Sequence, residues 1–161
     1  MSERRQTEMT TLGFLGLIPF WAGALALWAS PMIVPVFVAL DFHRIALAYG
    51  ALIVAYLAGV GSGGGLSPDK SQYRSFLPGQ LIVLGAFAVL ILGGVFQFAL
   101  GDAWRHVVII VLLVYLLLRD LAAVTEGRLP AWYGKLRVRL TFWASAALIL
   151  IALRLFLWGQ Y

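Results

Sequence analysis

Residues 140–158 read LTFWASAALILIALRLFLW, and the only charge among them is Arg154, four positions before Trp158. A helix crosses a hydrocarbon core about 30 Å thick with roughly 20 apolar residues, so this stretch has the length and composition of a transmembrane helix. Four more stretches read the same way. They are Leu12–Ala29 with Pro19 inside it, about Ile45–Gly61, Leu77–Leu100 with Pro78 in its first turn, and Trp104–Thr125. The expectation is an all-α integral membrane bundle of about five transmembrane helices, forming a single membrane domain over residues 1–161.

Composition agrees. Hydrophobic residues make up 62% and charged residues 12%, against about 45–50% and 25% in an ordinary soluble domain. The net charge of +5 would suit nucleic acid, but no cluster exceeds a few Lys or Arg, and no nucleic-acid partner is expected. With no cysteine in the chain, disulfides, thiolate metal sites and thiol nucleophiles are excluded. Arg4 and Arg5 precede an apolar run longer than the roughly 7–15 residues of a signal-peptide core. That run ends in Ser30-Pro31, a poor cleavage context, so a retained first helix is expected.

The joints between helices carry most of the polarity. Met32–Leu40 is too short to span and contains Pro35, so it reads as an interfacial or partly re-entrant connection. Asp41, His43 and Arg44 then mark a water-facing boundary. The second helix repeats small residues every fourth position: Ala51, Ala55, Gly59 and Gly63, with Ala46, Gly50, Val54 and Ala58 on a neighbouring line. Such spacing lets two helix backbones approach closely, which places this helix at the bundle centre. Gly61-Ser62-Gly63-Gly64-Gly65 reads as a flexible exit from the membrane. It lacks the preceding strand and the Lys-Ser/Thr signature of a phosphate-binding loop.

Three groups of residues together resemble a known family. They are Leu15-Gly16-Leu17-Ile18-Pro19-Phe20, then Tyr49-Gly50-Ala51 with the Gly-rich exit, and Leu129-Pro130-Ala131-Trp132-Tyr133 followed by Leu136-Arg137 and Leu140-Thr141. The chain is similar over about residues 12–155 to the small membrane family called domain of unknown function 3429, to which the mitochondrial transmembrane protein 69 is related. The resemblance implies an energy-transducing membrane and supplies no activity. Where the family shows Gly-Gly-x-x-Trp-Gly, Ser62 stands in place of the tryptophan, which puts any contact made by that ring in doubt.

Candidate sites are few. His43 and His106 each start a helix, beside Arg44 and Arg105, and read as interfacial histidines rather than haem ligands or a quinone pocket. Asp120 is a candidate by default, being ionisable within a membrane helix; its bland reading is a carboxylate answering Arg137, Lys70 or Arg74. Arg154 either snorkels outward or pairs with Asp102 or Asp41, and lies at the membrane face opposite Asp120. The segment Arg128–Arg139, with Pro130, Trp132 and Tyr133, reads as an amphipathic stretch lying on the inner leaflet or docking a partner, since aromatic rings favour headgroup depth.

No helix carries paired carboxylates, and no nucleophile has a base and an orienting group, so the expected protein is not an enzyme and no cofactor is expected. The leading reading is a non-catalytic accessory or assembly subunit of a larger respiratory or photosynthetic membrane complex, with membrane lipids and other membrane-protein subunits as partners. The other is a binder or carrier of an apolar small molecule (lipid, quinone or tetrapyrrole). A membrane enzyme or haem protein comes third.

Charge placement predicts topology. With the N-terminus inside, nine basic residues face inward (Arg4, Arg5, Lys70, Arg74, Arg119, Arg128, Lys135, Arg137 and Arg139) and three outward (Arg44, Arg105 and Arg154). This is the positive-inside bias, and it predicts N-in, C-out in a bacterial inner (cytoplasmic) membrane. Reporter fusions at Met1 and within residues 63–77 should report the inner compartment, and one at Tyr161 the outer. A cytoplasmic signal from the last would overturn a five-span chain.

Overall fold

A computed structural model describes residues 3–63, 77–91 and 101–158, which are helices and short turns. The helices are α1 Glu3–Leu15, α2 Ile18–Ala29, α3 Val36–Gly63, α4 Leu77–Ile91, α5 Asp102–Thr125 and α6 Ala131–Trp158. Four stretches are long and apolar enough to cross a membrane: Gln6–Ala29, Val36–Gly61, Asp102–Thr125 and Ala131–Trp158. Leu77–Ile91 is a shorter apolar helix, and residues 92–100, the remainder of the expected third helix, lie outside the described residues.

Prolines set the boundaries. The expected first helix is divided at Gly16-Leu17, because Pro19 has no N–H to offer the Leu15 carbonyl, and α2 restarts with Pro19 in its first turn. Pro35 and Pro130 act differently. Each immediately precedes a helix start, where a missing donor costs nothing. The Ala39 amide bonds back to the Pro35 carbonyl at 3.1 Å and that of Tyr133 to the Pro130 carbonyl at 3.0 Å. Val36–Leu40, expected as part of a surface connection, therefore belongs to α3, and Ala131–Arg139 is the start of α6 rather than a separate segment along the membrane surface. Gly61–Gly63 likewise remains helical, although the side chains of Ser62 and Gly63 lie outside the described residues.

The α5–α6 turn is closed by Gly127 at φ 71, the left-handed position that glycine adopts without a Cβ clash. The Gly127 amide bonds to the Val124 carbonyl at 3.0 Å and the Arg128 amide to that of Ala123 at 2.9 Å. This is the Schellman arrangement that satisfies the last carbonyls of a helix.

α3 packs against α2, α4 and α5, while α6 packs against α5, α2 and the end of α1. Phe20 and Leu27 from α2, Leu47 and Val54 from α3, Ile109 and Leu116 from α5, and Leu148 and Ile151 from α6 fill the core and are almost fully buried. The line of α3 that faces this core is Ala46, Gly50, Val54 and Ala58. A Cβ on Gly50 would stand 3.0 Å from Ile109 Cγ2 and 3.3 Å from Phe20 Cε1. Ala51 is buried beside this line, Ala55 is half-buried, and Gly59 faces open space with nothing within 4 Å of where a Cβ would be. The stripe of Ala51, Ala55 and Gly59 thus turns progressively away from the chain's own helices.

Ala58→Leu and Gly50→Leu should each destabilise the bundle by roughly 1–3 kcal/mol through overpacking. Gly59→Leu and Val114→Leu, at exposed positions, should stay within about 0.5 kcal/mol of the parent. Unfolding midpoints in a mild detergent check both pairs.

Candidate functional site

The charged and imidazole side chains of the interior gather at the two ends of the bundle, and between them only the hydroxyls of Thr141 and Ser145 interrupt the apolar core among the described residues. At the end that holds the α2–α3 turn, His43 from the second turn of α3 meets His106 from the first turns of α5. Both side chains are fully buried, with ring centroids 5.6 Å apart. The sequence places both at a wet boundary; the structure corrects this. α3 begins at Val36, seven residues before His43, and the face of α3 that carries His43 continues into Ala46 and Gly50, the line pressed against α5.

Asp102, at the start of α5, organises this group. Its main-chain carbonyl accepts a hydrogen bond from His106 Nδ1 at 2.8 Å, which requires the proton on Nδ1. Its carboxylate accepts from Arg105 Nη1 at 2.7 Å and lies 3.8 Å from His43 Nε2, too far for a hydrogen bond. Among the described residues, neither ring nitrogen of His43 nor Nε2 of His106 makes a hydrogen bond. The guanidinium of Arg105 also donates to the Val89 carbonyl at 2.9 Å and the Leu90 carbonyl at 3.2 Å, tying α5 to the last described turn of α4. Two buried imidazoles beside a carboxylate can hold a proton or a bridging water. Among the described residues no group of three or more His, Cys, Asp or Glu is arranged around a metal position, and a structural zinc takes four protein ligands.

Arg154 stands at the same end and reaches neither Asp102 nor Asp41. Its Nη2 donates to the Ser30 carbonyl at 3.0 Å and its Nε to that of Leu27 at 3.4 Å. The guanidinium lies 4.1 Å from the Trp158 ring centre and 5.4 Å from that of Trp28, within cation–π range. Asp41 pairs instead with Arg44 at 3.6 Å on the exposed side of α3.

At the α5–α6 end, Arg137 Nε donates to Asp120 Oδ2 at 2.8 Å, with both side chains largely buried. Lys70 and Arg74, the other expected partners of Asp120, lie outside the described residues. Arg119 reaches across to α3 and donates to the Leu57 carbonyl at 3.4 Å. Pro130 is exposed, and Trp132 and Tyr133 are half-buried with their rings edge to face at 6.1 Å. The histidine pair and the reach of Arg119 to α3 carry no signal in the sequence, because their partners are separated by 63 and 62 positions and no spacing rule links them.

Described residues that are helical, with four stretches long and apolar enough to cross a membrane, define a multi-pass membrane protein. Residues 5–153 match the family described as "Protein of unknown function (DUF3429)", and the chain belongs to that family. No curated protein and no solved structure matches it.

Asp120→Ala would leave the Arg137 guanidinium buried without its counter-charge and should cost about 3–5 kcal/mol. Replacing both, as Asp120→Leu with Arg137→Met, should return most of that loss, since an apolar pair of similar volume is often neutral. Thermal midpoints of the three proteins in one detergent check the contrast. Equal losses in the single and double variants would show that the pair does not act as a charge couple.

Proposed function

We propose that this chain is a non-catalytic accessory or assembly subunit of a larger respiratory or photosynthetic membrane complex. The observation that carries this reading is the outward line of α3. Ala55 is half-buried and Gly59 looks into open space, so a line of very small side chains is left uncovered by the described residues. Small residues on a lipid-facing helix permit close approach of another helix, whereas lipid tails gain nothing from them. The interior supports the same reading. The Asp120–Arg137 pair and the bonds of Arg105 and Arg154 to main-chain carbonyls of α4 and α2 join one helix to another rather than converge on an enclosed volume.

The proposal includes the finer placement drawn from charge: N-in, C-out, in a bacterial inner membrane. The α5–α6 end would then face the inner compartment and the histidine end the outer. It also includes a relation to the mitochondrial transmembrane protein 69.

A second reading, a binder or carrier of an apolar small molecule, is favoured by one feature. An open apolar groove of about 470 Å³ runs along the α1–α2 break and is lined by Phe14, Leu17, Ile18, Trp21 and Trp143. Its rings would suit a flat or chain-like lipophile.

Purification of the tagged chain in a gentle detergent, followed by mass spectrometry, separates the two. The accessory reading predicts a reproducible large membrane partner that is depleted by Gly59→Leu while the chain's own unfolding midpoint stays unchanged. Recovery of the chain alone with a stoichiometric lipophile would favour the second reading instead.

A further inference from the structure

We propose that the α5–α6 end of the bundle holds the phosphate of an anionic phospholipid headgroup, with Arg119 as the principal contact and Tyr133 beside it. This rests on the membrane reading of the chain and is independent of which partner the outer face of α3 meets.

The charge at this end does not balance. α1 brings two charges of each sign to it (Arg4 and Arg5, Glu3 and Glu8), whereas the described residues of α5, its turn and α6 carry Arg119, Arg128, Lys135, Arg137 and Arg139 against Asp120 and Glu126. Both carboxylates are taken, Asp120 by Arg137 and Glu126 by Arg128. Arg119 is therefore left without an acidic partner among those residues, and its one hydrogen bond, to the Leu57 carbonyl, is long at 3.4 Å. A half-buried guanidinium has five donors, so most of its capacity at this site is unspent. The Nη2 of Arg137, at the same end, is buried and makes no hydrogen bond among the described residues. Tyr133 stands within electrostatic reach of Arg119, Arg137, Asp120 and Tyr56, which adds phenolic hydroxyls to the same corner.

The guanidinium of Arg119 rests on the bare α-carbon of Gly61, in the space that a Cβ would take. Any side chain at position 61 would push the guanidinium off α3. Depth agrees with a headgroup. Arg119 lies six residues before the end of α5, and Arg137 six after the start of α6, about 9 Å along each helix at 1.5 Å per residue. That puts both at the margin of a hydrocarbon core about 30 Å thick, with the Trp132 and Tyr133 rings at the level where such rings settle. A phosphate is the anion that a guanidinium fork grips with two parallel hydrogen bonds, and at this depth the phosphate in supply is that of a lipid.

The test uses the full chain in a neutral detergent. Native mass spectrometry reads lipid retention against phosphatidylglycerol, phosphatidylcholine and inorganic phosphate in turn, for the parent, Arg119→Gln, Gly61→Ala and Arg44→Gln. The parent should retain phosphatidylglycerol in preference to phosphatidylcholine, and inorganic phosphate should not displace it. Arg119→Gln should lower retention about fivefold, the worth of one basic residue at an anionic lipid surface. Gly61→Ala, which keeps every charge, should lower it too, and Arg44→Gln, an exposed cation at the other end, should leave it unchanged. Parent-like retention by Gly61→Ala would reduce the effect to diffuse attraction by a basic surface and overturn the site. So would equal retention of the two lipids by the parent, a comparison that needs no variant to fold. Displacement by inorganic phosphate would make the ligand a free anion and overturn the lipid assignment.

Discussion

The carbonyls at the C-terminus of a helix have no intrahelical partner, and in hydrocarbon no water is at hand to satisfy them. In this bundle a guanidinium from a neighbouring helix does so. Arg154 of α6 spans the end of α2 and donates to the Leu27 and Ser30 carbonyls, with its flat face against Trp158 and Trp28. The Trp28 indole adds a bond back to the Leu150 carbonyl at 3.1 Å, so α2 and α6 are tied in both directions. Arg105 likewise donates to two main-chain carbonyls in the last described turn of α4. A cation at a helix C-terminus also meets the negative end of the helix dipole, so each contact is favoured twice. These ties hold the short helices α2 and α4 against the long ones.

Between the two polar ends, small side chains determine how closely the helices approach. Association of helices in lipid has no hydrophobic driving force and depends on packing. Ala46, Gly50 and Ala58 let α3 lie close enough to α2 and α5 for Phe20 and Ile109 to meet over Gly50. The second small line turns outward to Gly59 and has no such partner among the described residues. One helix thus carries two small-residue faces, one spent on the chain's own core and one exposed, and the accessory-subunit proposal rests on that second face.

The two polar ends differ in kind. The α5–α6 end is built from arginines, with a surplus of positive charge and aromatic rings at its margin. The opposite end buries two imidazoles, three of whose ring nitrogens make no hydrogen bond among the described residues. Asp102 serves this end twice, its main chain holding His106 in one tautomer and its carboxylate holding Arg105.

The amino-acid sequence by itself determined the class of protein. Apolar runs such as 140–158 leave helices as the only spanning solution, because each backbone group must be satisfied within its own segment, and that logic is local. Asp120 was legible as the ionisable residue to watch, and Arg137 as one of three possible partners, because both sit near the same turn. The tertiary structure alone decided the rest. Which of two adjacent small lines on α3 is buried depends on a rotation of the helix that four-residue spacing leaves open. Whether Pro35 ends a loop or begins a helix depends on what packs over Val36–Leu40. His43 and His106 share a core because α3 and α5 lie side by side, and Arg154 finds carbonyls of α2 rather than an aspartate because α6 crosses that helix end. Each of these is a long-range contact, and no local pattern encodes its partner.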